Sequence, residues 1–189
     1  MIERFWNWRV SVCLVDRNSV FGFVDFFYWE AIVEFNEGAI EGVVIKGLSK
    51  YLDSRGWLCE LFRKDEVNEE DFPQMAYCSL TYPGVVRGPH AHEDQTDLFF
   101  FVGPGNFEIR LWDNRSDSKT KGNFIKFYAG HDRPAFVLVP PGVVHGYKVI
   151  GSEPGLVFNA PNRLYAGWGK AGPVDEIRYE EEEDSPFSF

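Results

Sequence analysis

The chain has 189 residues, of which 44% are hydrophobic and 17% aromatic, and its formal net charge is -10 at pH 7. This length suits one domain, alone or with an extension, and the apolar content excludes an intrinsically disordered chain. An acidic chain is a poor partner for nucleic acid or for an anionic membrane surface, so we expect neither partner.

The cysteines and the hydropathy pattern indicate a cytoplasmic protein. Cys13, Cys59 and Cys78 lack the spacing of a metal-binding motif and cannot all pair, so we interpret them as free thiols in a reducing compartment. No apolar run reaches the ~18 residues of a membrane span. The apolar run at 10–15 is too short for a signal-peptide core, and no small-residue cleavage site follows it.

Residues 1–41 differ in composition from the rest of the chain. The first forty residues contain ten aromatic side chains and no proline. Two interpretations are open: the segment packs on the domain or on a partner chain, or the native protein starts downstream, near residue 41. Exposed to solvent, so many aromatic side chains would promote aggregation. We therefore separate an N-terminal extension, 1–41, from a main domain, 42–189.

From residue 42 onwards the sequence predicts an all-β domain. Short runs rich in β-branched and aromatic residues alternate with turns that contain glycine, proline, asparagine or aspartate. In 107–111 apolar residues alternate with Glu108 and Arg110, which predicts a half-buried strand whose two charged side chains pair with each other. A charged loop or short helix is predicted at 64–71. The predicted strands are 43–45, 57–62, 76–81, 85–92, 98–102, 106–112, 124–128, 135–139, 146–150 and 156–158, a spacing that indicates a sandwich or barrel.

Three histidines are the first candidate functional residues. His90 and His92 are one residue apart, so strand alternation points both imidazoles to the same face, roughly 7 Å apart along the backbone. His145 follows a rigid turn at 140–142, about fifty positions later. A His-x-His strand followed at this distance by Pro-x-Gly-x-x-His is the two-motif layout of a cupin. We therefore predict a cupin fold, a double-stranded β-helix or jelly-roll barrel.

Five stretches, in order between 42 and 179, carry a resemblance to a known family. They are 42–45 (GVVI), 53–57 (DSRGW) with Glu60, 84–90 (GVVRGPH), 113–120 (DNRSDSKT) and 139–147 (VPPGVVHGY). Together they resemble the dTDP-4-dehydrorhamnose 3,5-epimerases and their relatives. The resemblance implies a jelly-roll homodimer that exchanges N-terminal strands. It also implies action on nucleotide-diphospho-4-keto sugars for cell-surface polysaccharide, with no metal or cofactor.

The same resemblance implies roles for individual residues. His90 matches the catalytic base, which removes a proton beside the C4 ketone while an acid returns one to the opposite face. Among the substrate-binding candidates, Arg87 matches the arginine that binds the diphosphate, and Arg55 and Glu60 match residues that bind the nucleotide across the dimer. His145 matches a histidine that lines the sugar pocket. Tyr165 is a further candidate, because its aromatic ring is able to stack on a sugar or base.

Three features depart from the family pattern. Asp97 stands where the family has an enolate-stabilising lysine, and Phe158 stands where it has its tyrosine acid. The aspartate that orients the base has no counterpart in the right context, Asp184 being the nearest. The Arg-Gly-x-His-x-His run at 87–92 is similar to that of the dTDP-sugar 3,4-ketoisomerases, which pair these histidines with a tyrosine on a neighbouring strand. Tyr77 is the candidate for that catalytic tyrosine.

The same residues also suit a metal site. Metal-binding cupins place two histidines and a carboxylate on the first motif and a histidine on the second, here His90, His92, Asp97 and His145. Three imidazole nitrogens and one carboxylate oxygen suit one divalent Zn, Fe, Ni or Mn ion. Such an ion would supply the positive charge of the absent lysine. A metal-dependent cupin acting on a small polar substrate, and a non-catalytic sugar-nucleotide-binding protein, therefore stay open beside the epimerase or isomerase.

Overall fold

The computed structural model describes residues 34–189, and these residues lie in one compact unit. Most of the predicted extension, residues 1–33, lies outside the described residues. The rest of it belongs to the barrel domain, because Asn36–Glu37 forms a strand and Ile40, 4% exposed, packs in the core. The domain therefore begins upstream of the boundary predicted at residue 42.

The described residues form thirteen β-strands and four 3₁₀ helices of three residues each. The predicted strands are confirmed with small shifts, except that the strand predicted at 57–62 ends at Cys59. The charged segment at 64–71 forms two of the 3₁₀ helices. The strands are β1 (Asn36–Glu37), β2 (Val44–Gly47), β3 (Lys50–Asp53), β4 (Gly56–Cys59), β5 (Tyr77–Thr81), β6 (Val86–Ala91), β7 (Asp97–Phe101), β8 (Asn106–Asp113), β9 (Asn123–Gly130), β10 (Ala135–Val139), β11 (Val143–Ile150), β12 (Gly155–Asn159) and β13 (Ile177–Arg178); the 3₁₀ helices are Lys64–Glu66, Glu69–Asp71, Trp168–Lys170 and Tyr179–Glu181.

Two sheets enclose the core, and a separate hairpin, β3–β4, completes the described chain. One sheet has the strand order β1-β9-β8-β11-β6-β13, and the other has the order β2-β10-β7-β12-β5. Neighbouring strands are mostly antiparallel and mostly distant in sequence, which is the arrangement of a jelly roll. The predicted all-β cupin fold is confirmed. No described helix is long or apolar enough to cross a membrane.

The barrel interior is packed with large apolar side chains from both sheets. Phe99 and Phe101 of one sheet meet Phe107 and Tyr147 of the other, with ring centroids 5.2 to 6.1 Å apart. Alternation along β8 turns the side chains of Glu108 and Arg110 to the face opposite the core. There Arg110 Nε donates to the Glu108 carboxylate at 2.6 Å, as the sequence predicted.

The C-terminal end packs against the outside of the six-stranded sheet. The acidic run at 180–184 is exposed. Phe187, three residues further on, is 4% exposed and packs against Trp112 with ring centroids 5.7 Å apart. The chain therefore returns to the barrel after its acidic run.

Asp113 organises the loop that follows β8. Its buried carboxylate accepts hydrogen bonds from the Arg115 guanidinium at 2.9 Å and from the hydroxyls of Ser118 and Thr120 at 2.6 Å each. Burial raises the pKa of Asp113, but these hydrogen bonds lower it more, and the pKa lies well below its usual range. The ionised carboxylate therefore stabilises the fold.

Replacing Asp113 with Asn is expected to lower the free energy of unfolding by about 3 kcal/mol near neutral pH, because the hydrogen bonds from Arg115, Ser118 and Thr120 lose their charge assistance. The carboxyl titrates at lower pH in the folded chain than in the unfolded chain, so its stabilisation is full above the unfolded pKa and is lost as the pH falls. Urea unfolding at several pH values should therefore show the difference from wild type shrinking in acid. Asp117→Asn, at an exposed position in the same loop, is the control. A pH-independent difference, or one below about 1 kcal/mol, would contradict this role.

Candidate active site

Two neighbouring strands of one sheet and the start of a strand in the other bring four predicted residues together. His90 lies on β6 opposite His145 on β11, His92 follows β6, and Asp97 begins β7. Each of the four offers one potential ligand atom, and these atoms all lie within 4.8 Å of one another. The predicted convergence of the two histidine motifs is present in the fold.

A β-bulge in β6 determines which side chains share the site. Against β11, His90 pairs with His145 and Arg87 pairs with Tyr147, so three steps on β6 match two on β11. Simple alternation would place Arg87 and His90 on opposite faces, but the extra residue returns both to the barrel side. Gly88 occupies the bulge with φ +80°, and a Cβ there would lie 2.6 Å from the His145 carbonyl oxygen, so only glycine fits.

Arg87 is held in place without a carboxylate partner among the described residues. Its Nε donates to the Thr81 hydroxyl at 2.8 Å, and Nη2 donates to the Leu80 carbonyl at 3.2 Å. The rest of its guanidinium is free to bind an anion in this exposed position.

The two oxygens of Asp97 have different surroundings. Oδ1 accepts from Gln95 Nε2 at 3.0 Å and from Asn159 Nδ2 at 2.8 Å. Oδ2 lies 3.1 Å from His92 Nε2 and 3.2 Å from His145 Nε2. Burial raises the pKa of Asp97, but the two imidazoles lower it more, so this carboxylate, 1% exposed, stays ionised.

Backbone carbonyls orient two of the three imidazoles. His145 Nδ1 donates to the Val143 carbonyl at 3.0 Å, and His92 Nδ1 contacts the Asp175 carbonyl. Both rings therefore turn Nε2 towards Asp97. Burial lowers the pKa of His92, but Asp97 and Asp175 raise it more.

His90 differs from the other two histidines. Burial, together with His145 and His92, holds the pKa of His90 well below its usual value, so its ring is neutral near pH 7. Its ring centroid lies 4.5 Å from that of His145. No backbone carbonyl in the described part of the chain fixes its orientation, which leaves its nitrogens available to a reactant.

Tyr77 joins the site through Asn159. The Asn159 side chain donates to the Tyr77 hydroxyl at 2.9 Å and to Asp97 at 2.8 Å. Burial of the hydroxyl and the charge of Asp97 raise the pKa of Tyr77 to about 12, so the hydroxyl keeps its proton. Its hydrogen has no acceptor among the described residues, which suits a proton donor.

The site also contains residues that the sequence did not indicate. Asn159 links two predicted residues, and the Asp175 carboxylate accepts three backbone N–H bonds, at 2.7 to 3.0 Å, from the loop at 93–95. This contact fixes the loop between His92 and Asp97. The contact joins segments about eighty positions apart, so no local sequence signal indicates it. Asp175 also contacts His92 through its backbone carbonyl and is therefore the aspartate beside a site histidine. Asp184 is exposed in the acidic run.

Other predicted residues lie away from the histidines within the described chain. Arg55, on the β3–β4 hairpin, pairs with Asp53, and Glu60 lies 3.9 Å from Arg63. Tyr165 is 56% exposed and forms no hydrogen bond to any described residue of the site.

Phe158 points away from the site. Alternation along β12 turns Asn159 towards Asp97, whereas Phe158 packs on the outer face of its sheet with Leu98 and Phe100. The side chain at Phe158 is therefore not a counterpart of a tyrosine that acts beside His90.

Three comparisons with known proteins agree with this architecture. Residues 37–168 match the family model described as dTDP-4-dehydrorhamnose 3,5-epimerase. The chain is 47% identical over 115 residues to the spore coat polysaccharide biosynthesis protein SpsL of Bacillus subtilis, covering 61% of this chain and 75% of that protein. It is 41% identical over 128 residues to the probable low-salt glycan biosynthesis epimerase Agl13 of Haloferax volcanii, covering 67% and 81%.

A solved structure extends the comparison to the fold. The dTDP sugar isomerase of Desulfovibrio desulfuricans superposes on this chain with a TM-score of 0.67 at 26% sequence identity. The superposition covers 79% of this chain and 91% of that protein. The similarity therefore includes nearly the whole of the solved relative.

Proposed function

Since this chain belongs to the dTDP-4-dehydrorhamnose 3,5-epimerase family, we propose that it epimerises or isomerises a nucleotide-diphospho-4-keto-6-deoxy sugar in surface-polysaccharide biosynthesis. It is an enzyme of the isomerase class. The observation that carries the proposed substrate is the β6 bulge, which puts an anchored arginine and a neutral histidine on one face.

The proposed chemistry begins with the ketone at C4 of the sugar. The ketone acidifies the hydrogens on the adjacent carbons, and the neutral His90 ring removes one of them as a proton, leaving an enolate. Tyr77, whose hydroxyl hydrogen is free, returns a proton from the other side. Arg87 binds the diphosphate and so fixes the sugar between the two groups. His145 borders the sugar pocket beside His90.

The homodimer and the cytoplasmic location predicted from the sequence stay predictions. Exposed apolar side chains on β2 and on the β3–β4 hairpin support a dimer, because such a patch is a typical interaction surface. In such a dimer Arg55 and Glu60 of one protomer would reach the nucleotide bound by its partner. The exposed apolar side chains are Val44, Ile45, Tyr51, Leu52, Trp57 and Leu58.

Solvent-deuterium exchange tests the proposed function. The wild-type chain, incubated in D₂O with a panel of 4-keto sugar nucleotides, is expected to incorporate deuterium at a carbon beside the ketone of at least one of them, measured by NMR and mass spectrometry. Nucleotide sugars without the ketone are the control, because their ring hydrogens are not acidic. Absence of exchange over the whole panel would favour the non-catalytic sugar-nucleotide-binding protein instead.

A further inference from the structure

The geometry around Asp97 points to a second feature, a cation site. Asp97 Oδ2 and His145 Nε2 are buried and have no hydrogen-bond partner in the described chain, although they are only 3.2 Å apart. His92 Nε2 lies 3.1 Å from the same oxygen. An unpaired carboxylate oxygen this deep in the barrel is costly unless positive charge reaches it.

The tautomers of the two imidazoles sharpen this conflict. A neutral imidazole carries one N–H, and in His145 and His92 the hydrogen on Nδ1 serves a backbone carbonyl. Both Nε2 atoms then present lone pairs to Asp97 Oδ2. With both rings neutral, three acceptor atoms converge, and a cation bound among them makes the arrangement favourable.

The distances from Asp97 Oδ2 to the two imidazole nitrogens fit a transition-metal ion. With metal–ligand bonds of about 2.1 Å, neighbouring ligand atoms lie about 3.0 Å apart in an octahedral site and about 3.4 Å apart in a tetrahedral one. The observed separations of 3.1 and 3.2 Å fall between these values. Two imidazoles and one carboxylate also leave coordination positions open.

The residues around the three side chains support the same interpretation. Metal-binding histidines usually donate their second nitrogen to a carbonyl or carboxylate, and metal-binding carboxylates are themselves hydrogen-bonded. Here the carbonyls of Val143 and Asp175 orient the two imidazoles, and Gln95 and Asn159 donate to the second Asp97 oxygen. His90 has no such support, which separates it from the other two.

We propose that His92, Asp97 and His145 bind one divalent transition-metal ion through two imidazole nitrogens and one carboxylate oxygen, with His90 beside the ion but not required to hold it. The proposal concerns binding and does not depend on the proposed reaction. Should both hold, the ion would place positive charge next to the base, where an enolate forms.

Metal content and Co²⁺ titration test the proposal on the full-length chain. Protein purified without an affinity tag or chelator is expected to contain about one transition-metal ion per chain by elemental mass spectrometry. After the metal is removed, Co²⁺ should bind saturably and produce visible d–d absorption. His92→Ala should weaken Co²⁺ binding at least about 100-fold, and Gln95→Ala, which removes a hydrogen bond to Asp97, about tenfold. His131→Ala, in an exposed turn, should leave binding unchanged.

Each result decides a definite point. No saturable Co²⁺ binding by the wild type, or equal binding by His92→Ala and wild type, would overturn the site. His90→Asn is expected to keep Co²⁺ binding within about tenfold, and loss of binding in that variant would overturn the three-residue assignment. If His92→Ala does not fold by circular dichroism, Gln95→Ala decides in its place. A metal-free chain that exchanges deuterium overturns only the metal site, and a metal-bound chain without exchange overturns only the proposed function.

Discussion

Replacing His90 with Asn is expected to slow deuterium exchange beside the sugar ketone by about 1000-fold, the typical contribution of a positioned general base. The imidazole is neutral near pH 7 and an amide cannot take up the proton. Substrate contacts through Arg87 are untouched, so kcat should fall while KM changes little. Initial rates of exchange at several substrate concentrations separate these two constants.

The matched control for this variant is His131→Asn. Among the described histidines, His131 is the one that lies outside the site, in an exposed turn after β9. The His131→Asn variant should exchange deuterium into the substrate at the wild-type rate, and circular dichroism should show that both variants are folded. Exchange that survives in His90→Asn within about tenfold would assign the base to another group and contradict the mechanism.

Replacing Arg87 with Gln is expected to raise KM for the nucleotide sugar about 100-fold and to change kcat much less. The anchored guanidinium offers charge-assisted hydrogen bonds to a diphosphate, each worth about 1.5 to 3 kcal/mol. Gln keeps some hydrogen-bonding capacity but carries no charge. Arg87→Lys should recover only part of the affinity, because an ammonium group restores the charge without the planar fork.

Steady-state kinetics and competition by the free nucleoside diphosphate measure this effect. Arg133→Gln, in the exposed turn between β9 and β10, is the control for the loss of one positive charge. It should leave KM unchanged. A collapse of kcat in Arg87→Gln at constant KM would show that Arg87 acts on the reacting atoms and does not serve as a diphosphate clamp.

Sequence reasoning succeeded where the signal is local. The apolar runs and turn residues predicted the β-strands, because a strand's burial pattern depends on neighbours two positions apart. The spacing of the two histidine motifs predicted that His90, His92 and His145 converge. The alternation in 107–111 likewise predicted the pair formed by Glu108 and Arg110.

Sequence reasoning failed where a shift of one residue changes which face of a strand a side chain occupies, and where segments distant in sequence meet. The shift of a single position determines whether Phe158 or Asn159 faces Asp97, and the family resemblance pointed to Phe158, which faces outwards. Asp175 reaches the loop at 93–95 from about eighty positions away. The boundary at residue 42 was placed by composition, which carries no record of the pairing between β1 and β9.

The fold class and the chemical groups of the site (imidazoles, a carboxylate, an arginine and a tyrosine) can be read from local sequence patterns. The way these groups are arranged and used depends on the tertiary structure. The bulge at Gly88 brings Arg87 to the side of His90, and backbone carbonyls orient the two imidazoles whose Nε2 atoms face Asp97. The physical reason is that side-chain direction follows from strand register and long-range hydrogen bonds, which depend on partners that the local sequence does not specify.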